Sequence, residues 1–253
     1  YVINPSDPTP AHYTYSPNPS EIGAGETVSN GGTDAITIGH DGTVYVAHSN
    51  PDPGAGNTAA VYTISLSGTT ANLTRVFGVQ DPATVVGTGA ATTLNLTDPD
   101  SNQYIPKTAP VLPNTLIQDS QADSQLVFVH KAGTTKQSLS VLNLTNAAGD
   151  PSVTPQLDDV AEVTGPGTLY VVDQAQGTLS TIDTNGITPG TLFVSQPAPA
   201  AGDLANTPDL GVVDPTTGVV THLGTGLGSP KGLLFVPQHD DRHGDVEGDS
   251  AGG

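Results

Sequence analysis

One strand–turn–strand unit, written several times over, limits what this chain can fold into more than any other feature. From Gly167 to Gly186 the sequence reads GTLYVVDQAQGTLSTIDTNG. Residues 168–173 form an apolar, β-branched and aromatic run, and residues 178–183 alternate in character, so each has the signature of a strand. The four residues between them end in Gly177, which supplies the positive φ that a tight reversal needs. A β-hairpin is therefore predicted. The same phrase returns as DGTVYVAHSN with AAVYTISLSG, as SQLVFVHKAG with QSLSVLNLTNAAG, and as TLFVSQP followed by PDLGVVDPTTGVVTHLGTGLGSPKGLLFVP. A chain made of such copies is all-β, with almost no helix.

These copies resemble the blades of the YVTN-type, NHL-like β-propeller repeat family, whose DG-x-x-YV and V-x-x-ID-x-x-(T/N)-G patterns mark the corners of a four-stranded sheet. The resemblance is clearest at 168–186 and 41–50, good over 210–237 and poor over 79–113. It implies one β-propeller. At roughly 40–45 residues per blade, a chain of this length yields about five or six blades once its ends are set aside. The pattern describes corners and assigns no chemistry.

Taken in order, residues 1–32 read as an extended arm, because Pro5, Pro8, Pro10, Pro17 and Pro19 exclude a helix. Its opening residues Tyr1, Val2, Ile3 and Asn4 suit a strand that either closes the ring by pairing with the C-terminus or pairs with a neighbouring subunit. Residues 33–237 are the propeller. Within it, 33–77 and 114–157 each read as a blade, 160–183 supplies another, and 79–113 fits a degenerate blade with strands near 83–86 and 92–96. Residues 191–195 are either an outer strand of the blade before them or the start of a shortened one. Residues 238–253, QHDDRHGDVEGDSAGG, hold almost no apolar side chain and read as an acidic flexible tail.

The net charge is −19, from 25 Asp and Glu against 6 Lys and Arg. Phosphate backbones and anionic membrane surfaces repel such a chain, which disfavours nucleic acid as a partner. No apolar run approaches the roughly 20 residues that span a bilayer. Cysteine is absent, so neither disulfides nor thiol chemistry enters. A first residue other than Met suggests a removed secretory signal, and with the Thr-rich, Lys-poor composition it points to an extracellular or cell-surface protein.

Several residues are candidates for chemistry. Asp98, Asp100 and Asn102 place oxygen ligands two apart, as in a calcium loop, although neither the following Gly nor a terminal Glu is present; otherwise the segment is an Asx-rich turn. His40, His48 and His130 sit at the ends of equivalent strands where imidazoles suit copper or zinc, but 40 to 48 spans about 25 Å when extended. Asn72, Asn95 and Asn143 each begin an NLT glycosylation sequon. The propeller architecture is similar to that of senescence-marker-like lactonases and streptogramin lyases. That likeness implies a channel site, and Asp34, Glu162 and Lys231 stand at blade starts where its ligands would lie, although a corner Asp bonding backbone amides is the alternative.

Two functions fit. One is a secreted, non-catalytic structural or binding module that assembles with itself or another surface protein. The other is a metal-dependent lactonase- or lyase-like propeller enzyme.

Overall fold

Turn-forming corners cut the chain into short strands, and in the computed structural model these build an all-β, propeller-like arrangement of four blades. The structure describes residues 2–4, 7–16, 32–49, 51, 56–146, 155–196 and 208–238. No helix occurs among them.

The N-terminal segment forms β1 (Val2–Asn4) and β2 (Asp7–Ala11), which pair with each other, and β3 (Thr14–Ser16). Blade one is the meander β4 (Thr33–Ile38), β5 (Val44–His48), β6 (Ala59–Ser67) and β7 (Thr70–Gly78), with β3 parallel to β7. Next, β8 (Pro82–Val85) and β9 (Ala91–Thr93) form a hairpin. Blade two is β10 (Pro99–Ile105), β11 (Thr115–Ser120), β12 (Gln125–His130) and β13 (Ser138–Asn143), and β8 joins its outer edge parallel to β13.

Blade three is interrupted in sequence. Its outermost strand is β14 (Thr145–Asn146) and its innermost is β15 (Asp159–Val163). The chain then leaves to make β16 (Gly167–Asp173) and β17 (Thr178–Asp183), and returns for β18 (Thr191–Gln196), β19 (Asp209–Val213) and β20 (Val219–His222). Last comes β21 (Pro230–Pro237), which pairs with β16 to complete blade four in the order β17-β16-β21.

Apolar side chains on both faces of a strand require cover on both sides, and stacked blades supply it. In β12, Val127 and Val129 join Tyr45, Val61 and Phe77 in the core between blades one and two. Leu126 and Phe128 point the other way and join Val160, Leu192 and Val194 between blades two and three. Val163 and Phe193 of blade three meet Leu169, Val171 and Phe235 of blade four. Each fully buried Leu or Phe contributes about 1.5–3 kcal/mol. A fourth cluster, around Val46, Tyr62 and Leu73 on the far face of blade one, is covered in part by Tyr15, whose hydroxyl bonds Thr33 Oγ1 at 2.9 Å.

The blade count is four where length predicts five or six. Residues 79–96 spend their length on an outer-edge hairpin of blade two, where a degenerate blade is expected. The β18 strand is the second strand of blade three, beside β15, while the 167–186 hairpin belongs to the next blade. Residues 147–154, within the blade expected over 114–157, lie outside the described residues, as do Tyr1 and residues 239–253. β1 has β2 as its partner and does not pair with the C-terminal strands. Among the described residues no core cluster joins blade four to blade one, and Ile36 and Ile38 on β4 and Leu234 on β21 are 63%, 63% and 61% exposed. The arc of blades has a seam there.

Candidate active site

The innermost strands β4, β10, β15 and β21 surround a central cavity of about 440 Å³. Ala35, Ile36 and Thr37 come from β4, and Asp100, Ser101, Asn102 and Gln103 from β10. Asp158, Asp159 and Val160 come from the start of β15, and Lys231 to Leu234 from β21. A polar run such as Asp100-Ser101-Asn102-Gln103 has poor strand propensity, but a strand that lines a wet channel needs polar side chains. Its register with β11 shifts between Pro99 and Asn102. A bulge of this kind re-aims side chains beside a site.

Carboxyl groups dominate the cavity. Lys231 Nζ pairs with Asp158 Oδ1 at 2.5 Å, and Gln121 Nε2 donates to the same oxygen at 3.1 Å. Asp159 accepts from the Leu233 and Val160 amides at 2.6 and 2.8 Å and from the Ser101 hydroxyl. Burial outweighs those bonds and pushes the Asp159 carboxyl up to about 6. Asp100 rises further, to about 8, because of burial, the charges of Asp34, Asp158 and Asp98, and a side-chain hydrogen bond with Asp34. Asp98 is raised by burial and by Asp34, Asp123 and Asp158.

Two more acids stand behind this wall. Asp119 on β11 is fully buried, neither of its oxygens has a hydrogen-bond partner among the described residues, and its carboxyl is pushed well up by burial and then by Asp100, Asp159, Asp158 and Asp98. Glu162 on β15 is likewise buried with both oxygens unpartnered, and burial raises it to about 7. A buried carboxylate without partners is costly, so burial favours the neutral form of both.

The sequence candidates separate into those at the cavity and those away from it. Asp100, Asn102 and Lys231 line it, Asp98 and Asp34 reach Asp100 electrostatically, and Glu162 lies on the same inner strand as Asp159. Asp100 and Asn102 stand on β10, whose pairing to β11 fixes their backbone. Asn102 is buried and its Nδ2 donates to Gln118 Oε1 at 3.4 Å. The three histidines are apart. His40 stacks on Tyr104 at 5.9 Å, His48 is buried with Nδ1 2.9 Å from the Ala59 carbonyl oxygen, and His130 Nδ1 lies 3.1 Å from Thr115 Oγ1.

The sequons stand elsewhere: Asn72 donates to the Ser65 carbonyl at 3.3 Å, Asn95 is exposed, and Asn143 accepts from Gln125 at 2.9 Å. Val2, Ile3 and Asn4 form β1, remote in topology from the four inner strands. The expected corner role falls to other aspartates. Asp173 accepts from the amides of Gln176, Gly228 and Ser229, and Asp209 from those of Gly224 and Thr225.

Asp119, Asp158 and Asp159 were not among the sequence candidates. Their signal is an acid placed inside or against an otherwise apolar strand, as in TLIQDS and LDDVAEV. The carboxylate-rich donor set has the oxygen chemistry of calcium. Among the described residues no group of three or more His, Asp or Glu side chains is placed to hold a metal ion. One cavity thus holds an Asp100 carboxyl raised to about 8 and an Asp158 carboxyl ion-paired with Lys231.

Among the described residues no helix is long and apolar enough to cross a membrane. No family model matches the chain, and no curated protein matches it. Among solved structures it is similar to a periplasmic gluconolactonase of Pseudomonas aeruginosa, at 14% identity and a TM-score of 0.36, over 87% of this chain and 60% of that one. So distant a likeness does not bear on the channel, whose chemistry rests on the residues above.

Proposed function

We propose that the central channel is a hydrolytic site that cleaves the carbonyl–oxygen bond of a small neutral ester or lactone by acid–base chemistry. One observation carries this reading: two carboxyl groups in one cavity are set apart by their surroundings. Asp158 is ion-paired with Lys231 at 2.5 Å, whereas Asp100 has no cation beside it and is pushed up to about 8 by burial and its acidic neighbours. Opposed environments of this kind divide acid from base.

In the reaction Asp158 takes a proton from water as the water oxygen bonds to the carbonyl carbon. The bond to the leaving oxygen then breaks, and that oxygen receives the proton of Asp100. The products are a carboxylic acid and an alcohol, or a hydroxy acid from a lactone. Proton exchange with solvent returns Asp158 and Asp100 to their starting states. Lys231, beside the base, opposes negative charge on the carbonyl oxygen.

Steady-state hydrolysis of a panel of neutral lactones and aryl esters tests this. Asp100→Asn is expected to lower kcat/KM by about 100-fold or more. It should also abolish a decline in activity that the wild type shows as pH rises through about 8. Chelation should leave the rate unchanged. A wild type inactive on the whole panel, or an Asp100→Asn enzyme with wild-type rates and pH profile, would refute the reading.

A further inference from the structure

We infer that the molecule cleaved in the channel is an amphiphile, with its polar carbonyl head between the inner strands and a hydrocarbon or aromatic tail lying on the open face of blade four. This rests on the hydrolytic reading of the channel. It starts from a second cavity, of about 450 Å³, that shares Asp159, Gly232, Leu233 and Leu234 with the first. The two spaces are therefore one continuous surface that changes from polar to apolar along β21.

The apolar part is built by register. On β16, Leu169 and Val171 face the core with blade three, so Tyr170 and Val172 face outward. Tyr170 pairs with Leu234, and Val172 with Leu179. Leu179, Leu234, Val172 and Val236 are 64%, 61%, 45% and 42% exposed. Blades one, two and three each turn the equivalent face into a core shared with the next blade; among the described residues blade four has none. Apart from Asp159 at the shared end, no charged side chain lines this second cavity.

A contiguous uncharged strip on a chain of net charge −19 is a binding feature. Its occupant must satisfy both ends at once. The carboxyl-rich head site disfavours an anionic head, and the trough, lined by Val172, Leu179, Leu234 and Val236, favours apolar atoms. A neutral ester or lactone with a long acyl chain meets both conditions, and a sugar-like molecule leaves the trough uncovered.

The test compares p-nitrophenyl acetate, hexanoate and decanoate with the wild type and Leu179→Ser, whose site is exposed enough for the variant to fold. The expected result is a kcat/KM at least about tenfold higher for decanoate than for acetate, with that ratio falling about tenfold in Leu179→Ser through KM. Equal kcat/KM at all chain lengths, or a ratio unchanged by Leu179→Ser, overturns the inference. So does a wild-type dimer by light scattering that Leu179→Ser dissociates, since a second copy then covers the strip. If none of the esters is cleaved, the hydrolytic reading fails separately. Calorimetry with N-methyloctanamide then decides the tail site: binding weakened by Leu179→Ser supports it, and no binding overturns it.

Discussion

Asp100, Asp159 and Glu162 are carboxyls that the fold prefers to keep protonated, and the sign of the consequence follows from that preference. Each has a folded-state value above the ordinary one, about 8, about 6 and about 7. Their favourable contribution is complete below the ordinary carboxyl range and is lost as pH rises through about 6 to 8. The melting temperature is expected to fall across that window in scanning calorimetry. Glu162→Gln, which keeps the shape and removes the titration, should raise Tm at about pH 8 by about 2–4 °C for each kcal/mol relieved, while changing little at about pH 4. An equal shift at both pH values would show that packing, and not ionisation, is responsible. The corner aspartates behave in the opposite sense. Asp214 is held down to about 2 by the Thr216 hydroxyl and amide, and Asp209 stays low although burial pushes upward, because Thr225 and Gly224 donate to it. A corner aspartate is expected from the sequence at Asp34, and the residues that fill the role are Asp173, Asp209 and Asp214. The acidic wall was not legible in the sequence: an acid within an apolar run such as TLIQDS is a hint, and only the cover on both faces of β11 makes Asp119 a buried acid.

At the scale of the strand, the turns and the buried faces decide which changes are tolerated. Gly177 closes the β16–β17 hairpin at φ 63° with open space where a Cβ would stand. Gly218 leads into β20 at φ 77°, and a Cβ there would run into the Asn143 carbonyl oxygen. Gly177→Ala should therefore cost about 1–2 kcal/mol, the penalty of a left-handed backbone. Gly218→Ala should cost more, since it also pushes β14 from β20; denaturant titration of both variants measures the difference. Equal costs would mean that the Asn143 carbonyl yields. The hairpin at 167–186 was readable because its turn and both its strands are local. Residues 99–105 were not readable as a strand. Their polarity suits a channel wall, and only their pairing with β11 reveals it.

Over the whole molecule, blades succeed one another in order, each core made by two neighbours. Blade four is the exposed end of that series, and it depends on β21, whose Phe235 and Leu233 join the core with blade three. A chain ending before Pro230 loses this strand, the Lys231 partner of Asp158 and one wall of the cavity. Hydrogen exchange should then show β16 and β17 unprotected, because a two-stranded hairpin is marginal alone. β5, β6 and β12 should keep most of their protection. Loss of protection throughout would show that the arc folds only as one unit.

The residues by themselves determined the class of structure and its grain. Apolar alternation of period two, with Gly and Asp at the corners, allows antiparallel strands and excludes helices, and these signals act within a few residues of the chain. Tertiary structure decided the count of four blades, the division of 160–183 between two of them, the fate of 79–96 and the meeting of Asp100, Asp158, Asp159 and Lys231. Those depend on which strand lies beside which across 36 to 74 residues of chain, as between Ser195 and Lys231 or between Asp159 and Leu233, and such pairings are chosen by the burial of whole faces, not by any local pattern.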